Sequence, residues 1–190
     1  MVDVTEKAVT SREAVAEAKS NLSALIYDVT KNVPPGSENA VAIVKAAIDN
    51  TLPLYNQDAD GNEVEAVKRF RAQIANAKAL LFLTPEYNRS IPGVLKNALD
   101  QGSRPYGQSV WAGKPGAVLG VSVGATGTAL AQQHLRNVLA YLDVPLLGQP
   151  EMFIQAKDGL FNDDGTIGKA SHDFFQAWLH RYVEWVKRHG

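Results

Sequence analysis

None of the 190 residues is cysteine. That absence excludes disulfides, thiolate nucleophiles and cysteine-ligated zinc or iron–sulfur centres. A basic surplus is missing too: 19 Lys and Arg stand against 20 Asp and Glu, a formal net charge of −1. Charge therefore points to neither nucleic acid nor an anionic membrane as a partner. No apolar run approaches the length of a membrane span. The opening stretch, MVDVTEKAVTSREAVAEAKSN, is charged and lacks the apolar centre of a secretory signal. The setting this implies is the cytoplasm. The four histidines, at 134, 172, 180 and 189, show no zinc spacing, and His134 reads as a packing residue within a helix. Residues 58–61 and 163–165 resemble fragments of calcium loops without the full ligand series and read as turns. No metal site is expected.

What is present is an ordinary globular composition, 45 % hydrophobic and 21 % charged, in a length suited to one core. Residues 41–48 form an apolar run that fits a strand or a helix equally. Residues 52–58, LPLYNQD, read as a loop. Val64, Val67, Phe70 and Ile74 recur at helical spacing and predict a helix over 62–77. Residues 79–83 and 115–121 read as strands buried on both faces. Helices are expected at about 92–101, with Pro92 in the first turn, and at 127–142. Strand material lies at 144–147 and 152–154, and a turn at 161–165. The last helix, about 170–188, carries Phe174, Phe175, Trp178, Leu179, Tyr182, Val183, Trp185 and Val186 as an apolar stripe for the core. Strands alternating with helices of this length imply an α/β fold, a parallel sheet covered on both faces.

Ligands of such sheets bind at the carboxyl ends of the strands. Two loops fall there. The first, residues 84–90, reads TPEYNRS. It can offer an aromatic wall and polar backbone to a planar redox ring, or it can be a plain capping loop with Asn88 or Ser90 on the next helix. The second, residues 122–128, reads SVGATGT. Its glycines allow close backbone approach, and its amides precede a helix N-terminus that favours electron-rich oxygens. A tight turn without a ligand explains that loop equally simply. No side chain is nominated as a catalytic nucleophile or base.

Residues 84–105, TPEYNRSIPGVLKNALDQGSRP, resemble the signature of the NADPH-dependent FMN reductase family, which includes bacterial chromate, quinone and azo-dye reductases. The likeness extends to residues 52–58, 113–115, 127–128, 133–136 and 161–165, and so covers about 52–190. It implies a single flavodoxin-like domain over 1–190, a three-layer sandwich with a five-stranded parallel sheet. FMN would be the cofactor, NADPH or NADH the electron donor, and a small molecule such as a quinone, chromate or an azo compound the acceptor, served by a ping-pong scheme. Pro85, Glu86, Tyr87 and Asn88 would line the flavin, partly through backbone. Ser122, Val123 and Gly124 would embrace its pyrimidine edge. Arg89 and Arg104 would hold the nicotinamide cofactor's phosphates or an anionic acceptor, unless they are ordinary ion-pair residues.

Lys96, Asn97 and Asp100 lie on a helix that such proteins use in subunit contacts, which implies a homodimer or homotetramer. Gln101 and Gly102 stand where family members commonly carry Trp-Ala, which implies looser packing there. The family's phosphate loop, Gly-Ser-x-Arg-x-x-Ser-x-Asn, has no full counterpart. Asn21 falls at its last position and, with Ser20 before it, would bind the cofactor, but residues 13–20 have no glycine and two acidic residues. Two other readings follow from that departure and from the fold alone: a flavodoxin-like scaffold that has lost FMN, and a one-electron carrier, which the near-neutral charge disfavours.

Overall fold

The computed structural model describes residues 52–162 and 166–190. The apolar run at 41–48, Ser20 and Asn21 lie outside the described residues. Helix α1 is Glu65–Asn76, followed by strand β1 (Leu80–Leu83), α2 (Gly93–Ser103), β2 (Gly116–Ser122), α3 (Ala129–Tyr141), β3 (Phe153–Gln155) and α4 (Lys169–His189). β1 pairs with β2 in parallel from Leu80 opposite Gly116 to Leu83 opposite Leu119. β2 then pairs with β3 in parallel from Gly120 opposite Phe153 to Ser122 opposite Gln155. Parallel neighbours need a crossover, and α2 and α3 supply the two here.

The pleat divides the strand side chains between two cores. Leu81, Leu83, Ala117 and Leu119 pack with Phe175, Trp178, Leu179 and Tyr182 of α4. Leu80, Phe82 and Val118 turn the other way, onto Phe70 and Ile74 of α1, Leu95 and Leu99 of α2, and Leu135 and Leu139 of α3. A strand covered on both faces needs an unbroken apolar run rather than alternation, which is what residues 79–83 are. The layering is helix, sheet, helix, as the sequence predicts.

Details differ from the expected pattern. Val64 caps α1 rather than facing the core and is 54 % exposed, while Val67, Phe70 and Ile74 are buried. Pro92 is the N-cap of α2, its carbonyl accepting from the Leu95 and Lys96 amides. Phe174 is 57 % exposed, one position off the buried stripe of α4. Residues 144–147 contribute only a bridge from Leu146 to Gly116. Pro145 and Pro150 donate no N–H, so the ladder stops between them and resumes at Phe153. Their carbonyls accept from the indole N–H groups of Trp185 (3.0 Å) and Trp178 (2.8 Å), and that of Pro145 also from the Gly116 amide at 2.9 Å.

The expected loosening at 101–102 is overturned. Gln101 donates its side-chain amide to the Pro53 carbonyl at 2.9 Å. Gly102 lies directly under Trp111, and a Cβ there would sit 2.5 Å from the indole ring. The fully buried Trp111 fills that space, donates to the Leu99 carbonyl at 3.0 Å and meets Phe70 and Phe82 with ring centroids 6.0 Å apart. The missing methyl at 102 is the room the indole occupies. Gly102→Ala is therefore expected to cost roughly 1–3 kcal/mol by overpacking, read as a lower midpoint in urea unfolding.

Tyr182 gives a second test. Its hydroxyl is buried without a partner among the described residues, and burial pushes its pKa well above the ordinary 10.0. The neutral phenol is thus favoured in the folded state, so stability is full below pH 10 and falls as pH rises past it. Tyr182→Phe removes both the orphan hydroxyl and the titration. Its stability at neutral pH should equal or exceed wild type, and denaturant curves between about pH 9 and 11 should show a shallower loss.

Candidate functional site

Both loops nominated from the sequence leave carboxyl ends of adjacent strands, and Gly120 sets their spacing. A Cβ there would collide with the Thr84 carbonyl and the Thr128 side chain. Beyond Thr84, Tyr87 and Ser90 exchange backbone hydrogen bonds of 2.9 and 3.0 Å. Between them Asn88 and Arg89 hold φ of 51° and 67°. Two successive left-handed residues inside such a bridge make a type I′ turn, a geometry that ordinarily selects Asn-Gly. Asn88 fits that preference; Arg89 does not.

The turn is held at both ends on α3. Glu86 Oε2 accepts from the Leu130 amide at 3.1 Å and the Ala131 amide at 3.0 Å. These are the second and third residues of the helix, whose N–H groups have no intrahelical acceptor. Thr128, the N-cap, makes no side-chain cap bond; its hydroxyl accepts from Gln132 instead, at 2.9 Å. One turn along α3, His134 Nδ1 lies 2.9 Å from Ser90 Oγ. Neither Asn88 nor Ser90 caps α2, which has no side-chain cap. At the α3 N-terminus the Leu130 and Ala131 amides are thus already taken by Glu86.

The second loop keeps donors of its own. Ser122 Oγ accepts from the Gly124 amide at 3.2 Å, and the Gly127 amide donates to the Gly124 carbonyl at 2.9 Å. The Val123 carbonyl accepts from Gln155 at 3.3 Å. Among the described residues, the backbone N–H groups of Val123, Ala125 and Thr126, like those of Asn88 and Arg89, find no hydrogen-bond acceptor. Val123 is 84 % exposed and Tyr87 55 %. Unbonded amides beside exposed apolar side chains suit a flat ring with a polar edge.

Residues 120–124 also read Gly-x-Ser-x-Gly, a serine-nucleophile spacing that sequence reasoning overlooked. Ser122 does not fit that role. It ends β2 without the positive φ of a strained elbow, and among the described residues no histidine or carboxylate bonds its hydroxyl.

Arg89 and Arg104 are not brought together. Arg89 sits on the turn before α2 and Arg104 is the C-cap at that helix's far end, and eleven residues of helix span about 16 Å. Neither forms an ion pair with a described residue. Arg104 lies 5.7 Å from the centroid of the Tyr55 ring. The Tyr55 hydroxyl donates to Asp60 at 3.2 Å; partial burial and then that carboxylate raise its pKa. Asn97 is a fastener, accepting from the Tyr55 amide at 2.8 Å and donating to the Pro53 carbonyl at 2.9 Å. Lys96 and Asp100 pair with each other at 2.8 Å. A groove of about 480 Å³ runs between α2 and α3, lined by Ser90, Ile91, Lys96, His134, Asn137 and Val138. Arg136 is half-buried, which lowers its pKa; it donates to the Leu147 carbonyl at 3.0 Å and lies 3.8 Å from Glu151.

A family model described as NADPH-dependent FMN reductase matches residues 11–158. The chain belongs to that family. As a member of the NADPH-dependent FMN reductases, it is 54 % identical over 137 residues to a 2-hydroxy-1,4-benzoquinone reductase of a Burkholderia species, covering 72 % of this chain and 75 % of that one. A quinone reductase of Pseudomonas putida is 49 % identical over 72 % of this chain and 74 % of its own. An NAD(P)H-dependent FMN reductase of Pseudomonas aeruginosa is 43 % identical over 87 % of this chain and 88 % of its own. Among solved structures, the flavoenzyme NAD(P)H:(acceptor) oxidoreductase FerB of Paracoccus denitrificans superposes with a TM-score of 0.70 at 41 % identity, covering 74 % of this chain and 78 % of that one. The flavodoxin-like α/β class follows from that likeness. The family match begins at residue 11, earlier than the resemblance over 52–190 suggested.

Sequence reasoning missed the side-chain partners rather than the loops. His134 was assigned to packing but is exposed and joined to Ser90. Glu86, expected to line the flavin partly through backbone, uses its carboxylate to cap a helix 44 residues away. No local spacing announces either contact. Arg89 at φ 67° carries backbone strain of about 1 kcal/mol that glycine would not. Arg89→Gly should therefore raise the thermal midpoint, measured by calorimetry on the ligand-free protein.

Proposed function

We propose that this chain is an NAD(P)H-dependent FMN reductase that delivers electrons to a small acceptor of the quinone class. The observation that carries the reading is the pair of adjacent loops, with amides that find no acceptor among the described residues and with exposed Tyr87 and Val123, on a chain of this family. Two relatives close to half identical are named as quinone reductases. FMN, when bound, supplies hydride acceptance from the nicotinamide and onward reduction of the acceptor. The residues position it. The backbone around Pro85, Glu86, Tyr87 and Asn88 lines one side of the ring, and that of Ser122, Val123 and Gly124 meets its polar edge. Arg89, beside that loop and without an ion pair among the described residues, draws in the phosphates of the donor; Arg104, at the far end of α2, serves a separate contact.

Donor and acceptor would bind in turn at the same place, which is the ping-pong order. Chromate and azo compounds are further acceptors of suitable size. The rest of the proposal is a five-stranded sheet in one domain over 1–190, a cytoplasmic setting and a homodimer or homotetramer. Among the described residues no helix is long and apolar enough to cross a membrane.

The test is an absorption spectrum of the purified protein with FMN, then NADPH or NADH, then a benzoquinone. A protein-bound flavin spectrum that bleaches with the donor and returns with the quinone supports the reading, and initial rates should give parallel double-reciprocal lines. A protein that takes up no FMN and oxidises neither donor favours the scaffold reading.

A further inference from the structure

We infer that Glu86 and His134 are positioning residues: together they clamp the Tyr87–Ser90 turn onto α3 and so set the shape of the surface it offers. This rests on the flavin-reductase reading for the identity of the ligand. Three observations converge on it. Glu86 Oε2 takes both the Leu130 and Ala131 amides. His134 Nδ1 meets Ser90 Oγ at 2.9 Å. The turn between these anchors holds Asn88 and Arg89 in left-handed backbone.

The spacing is what makes it a clamp. Four residues separate Glu86 from Ser90, and four separate Leu130 from His134, about one helical turn. A four-residue step in the loop is thereby matched to one turn of the helix, and the segment between is fixed at both ends. Strained backbone persists only where its surroundings over-determine it, and two unfavourable φ values in succession demand such support. The carboxylate also stands in for the cap that Thr128 does not provide. Its side chain thus acts through α3 and the turn, and not by touching a ligand.

Each half of the clamp can be released separately. One oxygen of Glu86 receives both amides, so Glu86→Gln keeps an equivalent acceptor, whereas Glu86→Ala leaves none. In ligand-free protein, hydrogen exchange at the Leu130 and Ala131 amides should be slow in wild type and Glu86→Gln, and fast in Glu86→Ala. Titrated with FMN itself, Glu86→Ala should bind about five- to tenfold more weakly, the fold-change that loss of one helix cap corresponds to. Glu86→Gln should recover most of that affinity. His134→Ala, the independent variant at the other anchor, should weaken FMN binding while leaving the two amides protected.

Unchanged FMN affinity in both Glu86→Ala and His134→Ala, with wild type binding normally, overturns the clamp. So does an equal loss in Glu86→Gln and Glu86→Ala, which assigns the effect to charge. Wild-type protein that takes up no FMN overturns the flavin reading and the ligand this inference names. Normal amide protection in that same protein tells this result apart from a failed clamp.

Discussion

At Gly120 the middle strand passes so close to the Thr84 carbonyl and the Thr128 side chain that no Cβ can be accommodated. β2 is buried along most of its length there, and its neighbours cannot retreat without opening both cores. The close approach brings the end of β1, the end of β2 and the start of α3 to one place. Gln132 extends the junction, joining Thr128 Oγ1 at 2.9 Å to the Met152 carbonyl at 2.7 Å just before β3. Gly127 completes it at φ 57°, where a Cβ would come within 2.8 Å of the Ile154 amide. The two loops are neighbours because the scaffold beneath them has no slack.

Above that junction the protein spends polar side chains on backbone carbonyls more than on other side chains. Arg71 donates to the carbonyls of Gln101, Gly102 and Gln108, closing the end of α2. Lys114 does the same for α1 through Ala75 and Ala77. Such contacts satisfy carbonyls that helices leave open and hold loops at fixed heights. The few side-chain ion pairs are on the surface or partly exposed, where their net contribution is small. Among the described residues, rigidity thus comes from packing and from fastened backbone, with Arg89 and Arg104 in no ion pair.

The sequence made the elements legible because period carries them: an unbroken apolar run for β1, a 3.6-residue stripe for α1 and α4. The two loops were legible for the same reason, since a strand followed by a helix places its connection at the carboxyl edge. What failed was anything needing a partner far along the chain. Glu86 reaches Leu130, Asn97 reaches Pro53, and Gly102 receives Trp111, and none of these pairs has a spacing that periodicity can detect. Val64 and Phe174 failed differently: each continues a stripe by hydrophobicity, but one falls at a helix cap and the other a position off the buried face. At Ser122 the letters match a serine-nucleophile spacing while the backbone lacks the required φ, so leaving that spacing unread did no harm.

The two indole bonds to proline carbonyls bear on how these molecules meet one another in solution. Among the described residues β3 is paired on one side only, is three residues long, and is approached through a segment whose carbonyls at Pro145 and Pro150 are already taken by Trp185 and Trp178. A strand from another chain would find a short template there, with prolines that offer no donor and oxygens already engaged. That margin is a poor template for sheet growth because it is so short, and crowding at high concentration finds little purchase for templated stacking there.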